Sequence, residues 1–205
     1  MLIFLLFFGT SCQNSTPKNL QILEQNFATD GKFLFFNGKS NYKKGKYRQI
    51  PNSDFSSFEI LNYRYSKDKN NVYFRAHNGD WEIYRKKILG ELHGMIWPYF
   101  HLKIVDADPQ SFQIFPEKNF YAKDKNFVFK NDKILKDADP ENFQFLKKSH
   151  YQKDKNFVFF RGKKIKNADA ATFKILKNID FAKDKNFVFK NGEILKDADP
   201  ENFYK

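Results

Sequence analysis

The chain has one cysteine, Cys12, so no disulfide can form within it and stability must come from packing. Arginine is scarce: Arg48, Arg64, Arg75, Arg85 and Arg161 are all there is among 36 basic residues. Arginine is the commoner base-reading and bidentate phosphate-gripping residue, so the formal charge of +12 does not argue for a nucleic-acid partner, and none is expected. No Gly-x-Ser-x-Gly elbow, phosphate loop or Cys/His pair occurs, which removes the commonest nucleophile and nucleotide signatures. The apolar run at the start, Leu2–Phe8, is too short for the ~20 residues of a membrane-spanning helix.

Phenylalanine is what the chain has in excess, 26 of 205 residues. Each buried aromatic removes ~150–250 Å² from water, enough to give a sizeable core without cross-links. The phenylalanines recur in step. FYAKDKNFVFKNDKILKDADPENFQFL (120–146), HYQKDKNFVFFRGKKIKNADAATFKIL (150–176) and DFAKDKNFVFKNGEILKDADPENF (180–203) place Asp124, Asp154 and Asp184 thirty residues apart. A fixed period of this size marks a small module stacked on its neighbours. YSKDKNNVYF (65–74) and FATDGKFLFFNG (27–38) are fainter copies, with Asp68 and Asp30 in the same place. The repeat domain then covers 27–205, with units near 27–64, 65–120, 121–150, 151–180 and 181–205, the second interrupted by an insertion at 77–102.

Turn chemistry sets the expected module. Phe187–Lys190 runs through Asn191-Gly192 into Glu193–Leu195, and Asn-Gly between β-prone runs signals a hairpin with a type I′ turn. Asn37-Gly38, Asn131-Asp132 and Arg161-Gly162 hold the same position. The Asp of each Asp-Lys-Asn suits a turn in which its side chain accepts backbone N–H groups. Asp139-Pro140-Glu141, matched by Asp199-Pro200-Glu201, spells an N-cap and a short helical turn. A third strand follows, with Phe143 and Phe145 alternating. Val128 between Phe127 and Phe129 makes a strand apolar on both faces, hence one covered on both. Ile50, Ile104, Leu135, Ile165 and Leu195 are expected to face inward. The fold class is all-β: about five units, each a hairpin plus a third strand and a helical turn, in an open meander or solenoid, with a closed propeller-like ring as the alternative.

The four runs DKNNVYF (68–74), DKNFVFK (124–130), DKNFVFF (154–160) and DKNFVFK (184–190), each followed by a DADP-like turn, resemble the DKNYY family of repeat proteins. The resemblance spans roughly 27–205 and departs at the first unit, where Gly31 and Lys32 replace Lys and Asn. It implies a bacterial exported or lipid-anchored protein, and brings no activity, cofactor or catalytic residue.

Residues 1–12 are similar to a bacterial lipoprotein signal, with Gly9-Thr10-Ser11 leading to Cys12 as the lipidated residue; an ordinary cleaved signal is the alternative. Residues 13–26 are expected to be a tether. The expected location is a bacterial cell envelope, with a membrane reached through the lipid on Cys12 and an envelope protein or polysaccharide as partner.

Two groups of residues offer chemistry. The pairs Asp106/Asp108, Asp137/Asp139 and Asp197/Asp199, with Asn167/Asp169 and Asn52/Asp54, present oxygens for Ca²⁺, although a Ca²⁺ site needs six to eight and capping accounts for the second member. The insertion gathers Trp81, Tyr84, Trp97 and Tyr99, a candidate binding surface, beside His77, His93, His101, Glu82 and Glu91. Aromatic clusters stack on sugars or grip peptides, and three His suit Zn²⁺, but no pair has zinc-motif spacing. The expectation is a non-enzymatic binding or structural module; the alternative is an envelope enzyme or metal-binding protein using 77–102.

Overall fold

A computed structural model describes residues 19–23, 27–37, 47–50, 52–77, 99–104, 106–116, 118–146 and 149–204. The regular elements are five four-stranded antiparallel sheets, each open and each with its strands paired in chain order. The first holds β1 (Gln21–Ile22), β2 (Phe27–Thr29), β3 (Leu34–Phe36) and β4 (Arg48–Gln49). The second holds β5 (Glu59–Ile60), β6 (Tyr65–Lys67), β7 (Val72–His77) and β8 (Tyr99–Lys103). The third is β9 (Gln113–Ile114), β10 (Tyr121–Lys123), β11 (Val128–Lys130) and β12 (Lys133–Ile134). The fourth is β13 (Gln144–Phe145), β14 (Tyr151–Lys153), β15 (Val158–Phe160) and β16 (Lys163–Lys164). The fifth is β17 (Lys174–Ile175), β18 (Phe181–Lys183), β19 (Val188–Lys190) and β20 (Glu193–Ile194). The all-β repeat expected from the sequence is what forms. Two compact units divide the chain, one of residues 1–55 and 77–100, the other of 56–76 and 101–205. The first sheet lies in the former and sheets three to five in the latter.

The third strand of each repeat does not stay with its own hairpin. β13 follows the third sheet in sequence but pairs with β14, placing Gln144 opposite Lys153 and Phe145 opposite Gln152. β9 and β17 do the same for the third and fifth sheets. The sheets are therefore offset from the repeats by one strand. The same rule draws in Gln21–Ile22, which falls in the stretch expected to be a tether and instead pairs as β1 with β2.

The hairpin turns adopt the backbone their residues favour. Arg161 and Gly162 have φ of 50° and 77°, Asn191 and Gly192 of 51° and 84°. Positive φ at both central residues is the type I′ geometry that matches the twist of the flanking strands. The helical turn expected after each hairpin is a single turn: a 3₁₀ helix at Phe55–Ser57, hydrogen-bonded turns in the later units.

Successive side chains of a strand point to opposite faces, and both faces are covered. Val128 and Phe129 are each fully buried, as are Val158 with Phe159 and Val188 with Phe189. The packing is layered. Val128 of the third sheet shares a cluster with Phe159 of the fourth, and Val158 of the fourth with Phe189 of the fifth. The phenylalanine after each capping turn wedges between: Phe143 lies 5.7 Å from Phe159 and Phe173 lies 5.3 Å from Phe189, both tilted. Such pairs contribute ~0.5–1.5 kcal/mol beyond area burial. Ile50, Ile104, Leu135 and Ile165 are buried and Leu195 half-buried, facing inward as read.

Candidate functional site

The residues that recur most strictly meet where each Asp-Lys-Asn turn touches the capping turn preceding it. Asp124 Oδ1 accepts the N–H groups of Asn126 and Phe127, each at 2.7 Å, closing its own turn. Its other oxygen accepts the N–H of Asp108 at 2.8 Å. Asp154 repeats this with Asn156, Phe157 and, at 2.9 Å, Asp139. Asp184 does so with Asn186, Phe187 and, at 2.7 Å, Asp169. All three aspartates are at most 4% exposed. Three N–H donors per carboxylate meet the rule that a buried charge is hydrogen-bonded. In the second sheet Asp68 keeps its own turn but takes the Tyr73 hydroxyl at 2.7 Å on its outer oxygen. Among the described residues Asp30 holds the amides of Lys32 and Phe33, in the open.

The capping aspartate returns the contact. Lys125, Lys155 and Lys185 pair with Asp108, Asp139 and Asp169 at 3.4, 3.3 and 3.1 Å. The hydroxyl three residues after the cap accepts the lysine's own N–H, as Ser111 does from Lys125 and Thr172 from Lys185, each at 3.1 Å. These donors hold the cap carboxyls below their usual range. The Thr172 hydroxyl and amide, then Lys185, bring Asp169 to about 2. Asp108 is lowered chiefly by the Ser111 hydroxyl, and Asp139 by the Asn142 side chain. Asp199 is lowered chiefly by the Glu201 amide.

The first member of each acidic pair has a different reason to be Asp or Asn. Asn52, Asp106, Asp137, Asn167 and Asp197 all have φ between 57° and 66°. Asn and Asp tolerate that left-handed backbone best among side-chain-bearing residues. The carboxylates of Asp108, Asp139, Asp169 and Asp199 face amides, hydroxyls or ammonium groups, and Asp137 is lowered chiefly by its bond from Lys164. Among the described residues, no three His, Cys, Asp or Glu come together to hold a metal. A crevice of about 380 Å³ at the junction of the second and third repeats is lined by Ser111 and Gln113 of the former and Lys123, Asp124, Lys125, Pro140 and Glu141 of the latter. Lys123 spans it, donating to the Pro140 carbonyl at 3.0 Å.

Tyr99 and His101 fall in β8, and His77 ends β7. Trp81, Tyr84, Trp97, Glu82, Glu91 and His93 lie outside the described residues, as does Cys12. No helix among the described residues is long and apolar enough to cross a membrane. The sequence reading missed the role of the tyrosines that open β6 and β14. Tyr65 donates to the carbonyl of Phe120 at 2.8 Å, and Tyr151 accepts the Gly192 N–H at 2.9 Å, each bonding to the next sheet along. The choice of Tyr over Phe at those positions was the available signal.

Stacked four-stranded meanders, joined by a buried aspartate that bonds across units, define an all-β tandem-repeat protein. The chain belongs to the DKNYY family, whose model matches residues 7–77 and 93–205. No curated protein and no solved structure matches it.

Proposed function

We propose that this is an exported protein, held to a bacterial membrane by a lipid on Cys12, that serves the cell envelope as a non-enzymatic binding or structural module. The observation that carries the reading is the use made of the recurring carboxylates. Asp124, Asp154 and Asp184 each hold three backbone amides. Groups so engaged are poor general bases or ligands, and they make the repeat a scaffold. The Leu2–Phe8 run leading to Gly9-Thr10-Ser11-Cys12 supports export and anchoring.

Two experiments test the two halves. Fractionating cells that express the parent and Cys12→Ala should move the variant out of the membrane fraction with its melting curve unchanged; retention there would refute the lipid. A pull-down from envelope extract with the folded full chain should enrich an envelope protein or polysaccharide. Recovery of nothing above background would count against the binding role.

A further inference from the structure

The strands of each sheet alternate in direction, so its loops divide between two rims. The described Asp-Lys-Asn turns and capping turns lie on one; the hairpin turns of the third to fifth sheets and the loops entering β6, β10, β14 and β18 lie on the other. From the loop entering β6 to the fifth sheet, the described part of this second rim is linked by contacts. The Arg64 guanidinium sits over the Phe120 ring at 4.6 Å. Lys130 Nζ donates to the Arg161 carbonyl, and the Tyr151 hydroxyl meets the Asp180 carbonyl.

The rims differ in charge and polarity. On the capping rim Lys125, Lys155 and Lys185 each have a carboxylate partner, and Lys136, Lys166 and Lys196 share the rim with the further acids Asp106, Asp137, Asp197, Glu141 and Glu201. On the hairpin rim Lys118, Lys130, Arg161, Lys163, Lys177 and Lys190 have none among the described residues, against the acids Asp132, Asp180 and Glu193. Lys130 is crowded enough that burial, then Lys163 and Arg161, pull its ammonium below the usual lysine range. In the turns and loops of these sheets exposed apolar side chains divide the same way, with Ile134 and Ile194 on the edge strands between. Tyr63, Phe120 and Ile179 stand out on the hairpin rim at 45%, 42% and 44% exposure, while the described capping-rim turns expose no large apolar residue before Tyr204.

We propose that the rim formed by the loops entering β6, β10, β14 and β18 and by the hairpin turns of the third to fifth sheets docks on an anionic lipid bilayer, its cations against the headgroups and Tyr63, Phe120 and Ile179 entering the interfacial layer. Unmatched cations alone would fit any polyanion. Cations interspersed with protruding aromatic and aliphatic side chains fit a surface that is anionic outside and apolar beneath. The rim does not depend on the lipid, although a single acyl chain binds membranes only marginally and gains from a basic second contact.

The test uses the full chain as Cys12→Ala, so that no lipid contributes, floated with vesicles of phosphatidylcholine alone or mixed with phosphatidylglycerol. Binding is expected only to the mixed vesicles and should weaken as salt rises. Arg161→Asn with Lys163→Gln and Lys190→Gln should lower the partition coefficient about fivefold for each charge removed. The same charge loss through Lys125→Gln, Lys155→Gln and Lys185→Gln should lower it far less. Phe120→Ser should weaken binding with no change in charge, and melting curves verify that every variant folds. Equal losses from the two rims, equal binding to both vesicles, or an unaffected Phe120→Ser would overturn the proposal. So would retention on polyphosphate or a carboxylated polysaccharide without vesicle binding.

Discussion

The hydroxyl of Tyr151 receives the amide of Gly192 at 2.9 Å, joining the first long strand of the fourth sheet to the hairpin turn of the fifth. The closeness demands glycine on one side and a hydroxyl on the other. A Cβ on Gly192 would lie 2.5 Å from the Phe160 Cβ, on a backbone at φ +84°. Gly162 approaches the third sheet as closely, its Cβ position lying 2.8 Å from the Lys130 chain and 3.3 Å from the Tyr121 hydroxyl, while its amide goes to Gln152 of its own sheet.

Gly192→Ala should destabilise by about 2–4 kcal/mol, combining overpacking with left-handed strain. Gly31→Ala is the control: its φ is +91° but nothing among the described residues lies within 4 Å, so strain alone should cost about 1–2 kcal/mol. Tyr151→Phe, which keeps the ring, should lose about 0.5–1.5 kcal/mol. Urea midpoints of the three variants would show the ranking, and an innocuous Gly192→Ala would refute the close approach.

The aspartates of the Asp-Lys-Asn turns should not be equivalent. Asp184→Ala strands three amides in a buried site and should cost at least about 2 kcal/mol. Asp30→Ala loses only an exposed turn, for about 0.5–1 kcal/mol. Asp184→Asn should fall between, because it can keep its own turn while aiming its amide at the Asp169 N–H. Asp124→Ala combined with Asp184→Ala should lower stability by about the sum, as expected for separated units. Matching losses at Asp30 and Asp184 would contradict the contact between units.

Acid should remove stability that the caps supply. Asp108, Asp139, Asp169 and Asp199 are lowered from 3.8 in the folded chain, so each contributes stability that is complete above 3.8. That contribution is lost as the pH falls through the folded value, which for Asp169 is about 2. Melting temperature followed from pH 5 down to about 2 should therefore fall, and fall less steeply for Asp169→Asn. A parallel pair of curves would remove Asp169 from the account.

Chelation should leave the fold untouched. The cap carboxylates are already engaged by amides, hydroxyls and lysines. EDTA and added Ca²⁺ are each expected to leave the melting curve of the parent where it was. A large Ca²⁺-dependent rise in the parent, absent in Asp139→Ala, would restore the acidic pairs as a metal site.

What was legible in the sequence was local. Asn191-Gly192 specifies its own turn, and Asp124 reaches amides only two and three residues ahead, so both follow from residues side by side in the chain. The second oxygen of Asp124 bonds to an amide sixteen residues back. That bond depends on where the capping turn lands in space, which no periodicity encodes. The exchange of β13 into the following sheet was hidden for the same reason, since its alternation of Gln144 and Phe145 suits either partner. The left-handed Asp137 was readable only by noticing that Asn replaces Asp at 52 and 167. The insertion is a different case: its aromatic and histidine content drew notice because it broke the repeat, and a break in pattern carries no geometry.

The one-strand offset between repeat and sheet has a consequence for how such arrays lengthen. Consecutive sheets overlap along the chain as bricks do in a bonded wall, the first four repeats each sending a last strand forward and the second to fifth each receiving one from behind. A thirty-residue copy inserted at any point of the unit would therefore add one whole sheet. Every strand in it would find a neighbour, wherever the joint was made. A gene can grow or shrink this wall by slippage alone, with no need for the break to respect a structural boundary.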